Sequence, residues 1–127
     1  MKTPFYKGAQ GNLSKHIVTV ALSALAASGT KVIAEDLPLG TEITSVTVIG
    51  AALGTDTAYK LDLVDRSSSV TALVASTTST SATSKTVPLK PIYVGDEGPS
   101  DVVLTNSGTG AATGEVTVHI EYRFVGY

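Results

Sequence analysis

The chain has 127 residues, of which 43% are hydrophobic and only 16% charged, and its formal net charge is −2. A chain of this length can fold as one domain without a metal or a disulfide, and the absence of cysteine excludes disulfides, thiolate metal sites and thiol nucleophiles. The nine basic residues form no cluster, which argues against binding to the phosphate backbone of a nucleic acid.

The first segment, residues 1–14, has the sequence MKTPFYKGAQGNLS and shows no periodic apolar pattern. It predicts an extended N-terminal arm, followed by a single domain over residues 15–127. The arm carries two of the seven aromatic residues of the chain, outside any predicted core. Two interpretations of this part of the arm stay open: it folds back onto the sheet of its own domain, or it anchors into a neighbouring protein. The expected partner-binding residues are Pro4, Phe5, Tyr6 and Lys7.

An apolar run, Ile17 to Leu25, follows three lysines and in this respect resembles a secretory signal peptide. The polar residues Thr19 and Ser23 interrupt it, and it is shorter than the roughly 20 residues that span a membrane. Within residues 17–23, one face of an extended chain carries Val18, Val20 and Leu22, and the other carries Thr19 and Ser23, a pattern typical of a strand. We therefore predict a first strand here, and neither membrane association nor secretion.

Four further strands are predicted from β-branched runs between turn residues. In the fourth run of the chain, apolar and charged residues alternate, which places Lys60 and Asp62 on the solvent side. The acidic residues Asp62 and Asp65 are expected in exposed positions. The four predicted strands are residues 31–34, 42–49, 58–64 and 70–75.

The segment 76–86, STTSTSATSKT, consists almost entirely of Ser and Thr. Such a composition is typical of a disordered linker, but apolar strands on both sides favour a loop or an exposed strand inside one domain. Residues 87–94 contain Pro88 and Pro91, and because proline cannot donate to a strand ladder this segment is predicted to be an edge strand or an irregular connection.

The end of the sequence has the clearest pattern in the chain. A short apolar segment, residues 102–104, precedes a predicted turn at 106–110, and the two are expected to form a hairpin with the last strand. The last strand alternates without interruption between apolar and polar residues. Its predicted inward residues are Val116, Val118, Ile120, Tyr122 and Phe124.

About eight short strands and no convincing helix predict an all-β fold. The spacing of the turns favours a single β-sandwich, either jelly-roll or immunoglobulin-like, with short antiparallel strands. The order of the strands in the sheets does not follow from the sequence.

Residues that could carry chemistry are few. The two histidines are His16 and His119, and His119 shares the polar face of the last strand with Glu121, which predicts a cross-strand ion pair or a solvated face. Asp96, Glu97 and Asp101 could offer oxygen ligands to calcium, but their spacing fits no EF-hand. We find no phosphate-binding glycine loop and no nucleophile elbow. The sequence therefore predicts no catalytic residue, no metal site and no cofactor, and a protein that is not an enzyme.

A resemblance to a known class of proteins rests on four segments: LPLGTEITSV (37–46), YKLDLVD (59–65), PIYVGDEGPSDVVLT (91–105) and ATGEVTVHIEYRFVGY (112–127). From residue 37 onward the chain resembles small structural proteins of tailed bacteriophages. The resemblance implies a capsid decoration, or cement, protein: a β-sandwich, often a trimer, that binds the exterior of the virion across junctions between capsomers. Its implied partners are the major capsid protein and further copies of itself.

The composition is compatible with that class. A surface so poor in charge predicts a homo-oligomer, with a trimer as the first expectation, and the lack of cysteine fits assembly in a host cytoplasm. Two alternatives stay open: a tail or head–tail connector protein, and a carbohydrate-binding or adhesin module. The absence of tryptophan weakens the second alternative, because sugar-binding modules usually expose aromatic platforms.

Overall fold

The computed structural model describes residues 13–95 and 99–124, which form eight strands in two four-stranded antiparallel sheets. The predicted all-β sandwich is confirmed. The expected partner-binding residues Pro4 to Lys7 lie outside the described residues. The strands are β1 (Ser14–Leu25), β2 (Thr30–Leu37), β3 (Thr41–Gly50), β4 (Ala58–Val64), β5 (Val70–Thr78), β6 (Thr83–Tyr93), β7 (Ser100–Asn106) and β8 (Ala112–Phe124).

The two sheets have the strand orders β1-β8-β3-β6 and β2-β7-β4-β5, here called sheet 1 and sheet 2. The pair β4–β5 joins neighbours in one sheet, and the other connections cross between sheets. The predicted hairpin between residues 102–104 and the last strand is therefore wrong. β7 and β8 are consecutive, but each has an apolar face that must be buried, and they face each other across the core instead of pairing edge to edge.

The core lies between the two central pairs of strands. Val116, Val118 and Ile120 of β8 are at most 2% exposed, as their alternation predicts, and fully buried Leu61 and Leu104 come from sheet 2. The prediction fails at the end of β8, where Tyr122 is half-buried and Phe124 is 49% exposed. Alternation reports the face to which a side chain points, but it does not report how far the opposite sheet extends.

The Ser/Thr-rich segment belongs to the domain. β5 continues to Thr78 and β6 begins at Thr83, so the exposed-strand alternative is confirmed, with a short turn between them. β6 is an edge strand of sheet 1, as Pro88 and Pro91 predict. Ser79, within this turn, is 1% exposed.

Asp62 differs from its predicted exposed position. It lies on the outer side of β4, as the alternation requires, but it is only 8% exposed. In the register of sheet 2 it lies between Val103 and Ala72, and Lys60 Nζ approaches its carboxylate at 3.9 Å. Asp62 is therefore covered by its neighbours on the outer face.

The two ends of the sandwich differ in how the chain closes them. At the closed end lie the connections β1–β2, β3–β4, β5–β6 and β7–β8. At the open end lie the connections β2–β3, β4–β5 and β6–β7, together with the start of β1 and the end of β8, where Ser14 pairs with Tyr122.

Asn106 organises the closed end. Its side-chain nitrogen donates to the carbonyl oxygens of Leu25 (2.9 Å) and Gly110 (2.8 Å), and its side-chain oxygen accepts from the Gly108 amide (3.1 Å). Asn106 is 1% exposed, so these bonds satisfy polar groups that water cannot reach. Gly108 is required here because a Cβ atom would lie 2.3 Å from the carbonyl oxygen of Asp56.

A second set of buried polar groups joins the β3–β4 and β5–β6 connections at the same end. The Ser79 hydroxyl donates to the Thr57 hydroxyl (2.9 Å), which donates to the carbonyl oxygen of Gly54 (2.8 Å). The Leu53 amide donates to the carbonyl oxygen of Ser79 at 2.9 Å. These bonds fix the neighbouring loops relative to one another.

Candidate partner-binding site

A groove of about 410 Å³ opens between the two sheets at the open end. Ile120 and Phe124 of β8 contribute to one side, and Ala34 and Leu37 of β2 to the other. We call this feature the open-end groove. Its size and composition suit an apolar ligand group, because grooves of this size with apolar walls bury small apolar groups well.

The sequence of β1 explains why the sandwich is not sealed here. The inward positions of β1 are occupied in order by Ser14, His16, Val18 and Val20. Val18 is the first of these that packs against the core. Because Ser14 and His16 supply no apolar side chain to fill the space between the sheets, the groove persists beside them, and His16 lines it.

The backbone of β2 also departs from a regular strand at this point. Its register with β7 shifts between Val32 and Ala34 and again between Ala34 and Leu37. Asp36 adopts a left-handed conformation with φ of 58°, which aspartate tolerates better than most residues. Bulges of this kind redirect side chains, and they leave Glu35 and Asp36 on the rim of the groove.

Asp36 belongs to an ionic cluster that braces the open end of sheet 2. Its amide donates to the Asp101 carboxylate at 3.0 Å, and its own carboxylate pairs with Arg66. Arg66 also lies 3.2 Å from Asp101. The hydrogen bond from the Asp36 amide, followed by the bond and charge of Arg66, holds the pKa of Asp101 below its usual value.

Glu35 lies next to this cluster but does not take part in its ion pairs. Among residues 13–95 and 99–124 it takes part in no ion pair, and it is exposed on the groove rim. The groove thus offers apolar walls with an uncompensated negative charge beside them. Such a site favours an apolar group that is accompanied by a positive charge.

Exposed apolar side chains surround the same end. Leu13 is 58% exposed, Phe124 49% and Tyr93 44%, and Ile17 on the outer face of β1 is 59% exposed. Singly exposed apolar residues are ordinary, but several at one end of a domain are typical of a binding surface.

The described histidine and acidic residues that were candidates for metal binding or catalysis do not form a common site. His119 lies on the outer face of sheet 1 between Ile17 and Thr47, while the Glu121 carboxylate accepts a hydrogen bond from Thr44 Oγ1 at 3.0 Å. Of the considered calcium ligands, Asp96 and Glu97 lie outside the described residues, and Asp101 is engaged by Arg66. Within the described ranges, no three His, Asp or Glu side chains are grouped as metal ligands. No helix capable of spanning a membrane occurs in the described part of the chain.

Comparison with known proteins finds similar structures, whereas comparison of the sequence finds no match. The sequence matches no protein-family model and no curated protein. The structure is similar to a chain of the Cyanophage Pam1 capsid asymmetric unit, with a TM-score of 0.70 and 20% identity over 98% of this chain and 92% of that one. It is also similar to a chain of the capsid of Ralstonia phage GP4, with a TM-score of 0.69 and 16% identity over 99% of this chain and 93% of that one.

The chain has a fold that occurs in phage capsids. At the level of the fold, the resemblance to phage structural proteins is confirmed. The two matches extend over nearly the whole length of this chain and of each of the two capsid chains.

Sequence reasoning did not identify the open-end groove. The sequence offered one signal for the groove, namely the polar residue His16 on the face of β1 that otherwise carries Val18 and Val20. The bulge at Glu35 and Asp36 left no comparable signal, because bulges depend on pairing with a strand that is distant in sequence.

Proposed function

We propose that this protein is a structural component of a phage virion that binds the exterior of the capsid and stabilises the shell across junctions between capsomers. The observation that carries the proposal is the near-complete structural match to chains of two phage capsids. The proposed partners are the major capsid protein and further copies of this chain, with a trimer as the expected state. Assembly would take place in the host cytoplasm.

The mechanism we propose is multivalent binding. A shell under internal pressure fails at its joints, and a small protein that contacts several capsid subunits at once opposes their separation. Many weak contacts made by one rigid body sum to a high avidity. The closed end, with its buried hydrogen bonds, supplies the rigidity, and the predicted N-terminal arm, through Pro4, Phe5, Tyr6 and Lys7, supplies a contact to a neighbouring protein.

The arrangement of polar groups supports binding over catalysis. At the closed end the buried hydroxyls of Ser79 and Thr57 bond each other. At the open end the Asp36 carboxylate pairs with Arg66, and Glu35 is exposed on the groove rim. A catalytic carboxylate pair needs two groups whose surroundings separate their pKa values within a shared cleft. Glu35 and Asp36 are both exposed, and this favours a role in recognition.

We also infer that the sandwich is a jelly roll and not immunoglobulin-like. Its two sheets have four strands each, and the chain crosses between them at every connection except β4–β5. Eight strands in two such sheets are the arrangement of jelly rolls, a fold widespread in viral capsids.

The proposal is tested by locating the protein in particles. Virions of the encoding phage are purified and labelled with gold-conjugated antibodies to this chain. We expect label over the whole head surface. Label confined to the tail or neck would instead support the tail or connector alternative, and absence from particles would overturn the virion role.

The stabilising role needs a second measurement. Particles from a phage that lacks the gene are heated in the presence of a DNA-binding dye, with and without added purified protein. We expect DNA release at a lower temperature without the protein and recovery when it is added. Recovery to the same extent by a protein that does not bind the particles, such as serum albumin, would contradict the proposal.

A further inference from the structure

We propose that the open-end groove receives the N-terminal segment 1–12 of a second copy of this chain, with Phe5 and Tyr6 seated between the sheets. The inference rests on the proposed partner-binding role of the arm, and it names the partner and the receiving surface.

The position and length of the segment are the first argument. The described structure begins at Leu13, at the open end, and His16, three residues further, already lines the groove. Twelve residues precede Leu13, and a fully extended chain reaches about 3.3–3.6 Å per residue. The segment therefore spans roughly 40 Å at most, enough to reach the open end of an adjacent copy.

The chemistry of the segment matches that of the groove. Phe5 and Tyr6 are the large aromatic residues of segment 1–12, and the walls of the groove include Leu37, Ile120 and Phe124. Aromatic side chains have large apolar areas, and seating them between apolar walls removes those areas from water.

The charges match as well. Segment 1–12 carries Lys2 and Lys7 and no acidic residue, while the rim of the groove carries Glu35 and Asp36. Since Asp36 already pairs with Arg66, Glu35 is the available acid, and Lys7 directly follows Tyr6 in the sequence. An aromatic pair followed by a lysine fits an apolar groove bordered by a glutamate.

A second copy fits better than the chain's own segment. If the segment folded back, it would have to reverse direction between Lys7 and Leu13, because β1 begins at the open end and runs away from it. A neighbouring copy brings enough surface to cover the exposed apolar residues of this end. Exchange of an identical segment between copies is also a low-cost route to oligomers.

The free edge of β1 supports the same choice. β1 is an edge strand of sheet 1, its register with β8 is unbroken from Ser14 to Leu22, and its one charged residue is Lys15. By contrast β6, at the other edge, contains two prolines. A long, regular and nearly uncharged edge is the type that associates with another chain.

Disulfide trapping tests the proposal, because the natural chain has no cysteine. Lys7→Cys and Glu35→Cys are made as separate full-length variants, mixed in equal amounts and oxidised mildly. We expect a disulfide-linked pair of chains on a denaturing gel, at twice the 13.0 kDa of one chain. The matched control replaces Glu35→Cys by Glu115→Cys, which lies exposed towards the closed end of β8 and should give little product.

The same experiment contains the outcomes that overturn the proposal. If the mixture gives no linked pair and the double variant Lys7→Cys/Glu35→Cys closes an internal disulfide, the segment occupies the groove of its own chain. If neither forms, or if Glu115→Cys reacts as fully as Glu35→Cys, the groove does not receive the segment. Because only isolated protein is used, these outcomes are independent of whether the protein binds a capsid.

Discussion

The two ends of the sandwich differ in which side chains they bury and which they leave exposed. At the closed end, Asn106, Thr57 and Ser79 are buried, and their polar atoms bond neighbouring loops. At the open end, Glu35 and Phe124 remain exposed beside a groove. These three side chains at the closed end are satisfied internally, while the open end leaves both apolar area and charge available.

This difference indicates that the closed end contributes mainly to folding and the open end mainly to association. Buried hydrogen bonds to loops rigidify one end of the domain and contribute to folding. Exposed apolar groups contribute little to the folding of a single subunit and contribute instead when another surface covers them. We therefore expect substitutions at the closed end to lower stability, and changes at the open end to lower association.

The largest effect is expected at Asn106. Asn106→Ala removes the side-chain partner of two carbonyl oxygens and one amide at partly buried positions, and each group left without a partner costs about 1–3 kcal/mol. We expect the free energy of unfolding, measured in urea, to fall by about 3 kcal/mol or more. Ser107→Ala, at the exposed neighbouring position, is the control and should have little effect. Equal losses would show that the closed end does not depend on this side chain.

The next effect is expected in the core between the two ends. Ile120→Ala should lower the free energy of unfolding by about 2–5 kcal/mol through lost burial and a cavity. Thr117→Ala should lower the free energy of unfolding much less, because this side chain lies on the outer face, where its hydroxyl bonds the hydroxyl of Thr19 in an exposed position. The comparison is made by urea unfolding of both variants, and similar costs would contradict the assignment of the two faces of β8.

A smaller, pH-dependent effect is expected from the ionic cluster at the open end. The pKa of Asp101 is lowered in the folded protein, so its carboxylate stabilises the fold above the ordinary aspartate pKa of about 4. That contribution is lost as the pH falls below about 4, through the lowered value. Asp101→Asn should therefore be less stable than the natural chain at pH 7, by under about 1 kcal/mol for so exposed a pair. The difference should shrink as unfolding is measured towards pH 2, and a difference that grows would contradict the cluster.

The smallest effect is expected at Tyr59, which pairs with Asn106 in the sheet. Its hydroxyl is buried without a hydrogen-bond partner among the described residues. Tyr59→Phe removes this group. The free energy of unfolding, measured in urea, should stay unchanged or rise by about 1 kcal/mol. A clear loss of stability would contradict this prediction, because it would show that the hydroxyl is hydrogen-bonded in solution.

The sequence predicted those parts of the fold that depend on local pattern. The alternation in β8 identified Val116, Val118 and Ile120 as inward residues, and Pro88 and Pro91 marked an edge strand. It failed where the answer depends on distant strands. The pairing of β7 with β2 and β4, the burial of Asp62 and the exposure of Phe124 all follow from how far other strands extend and in which order they lie.

The candidate site followed the same rule. The aromatic pair in the arm is visible in the sequence because it stands outside any strand pattern. The open-end groove is not, because it results from the combination of a polar start to β1 and bulges in β2, which lie in different sheets. A groove between two sheets has no contiguous signature in a sequence.

The most direct test of the division between the two ends is deletion of residues 2–12. The account predicts that the melting temperature of the dissociated subunit stays nearly unchanged, while the molar mass measured by light scattering falls to that of one chain. A segment that binds another copy contributes to association and not to the folding of its own domain. If the deletion lowers the melting temperature of the single subunit by many degrees and leaves the oligomer intact, the segment belongs to its own sheet and the account is wrong.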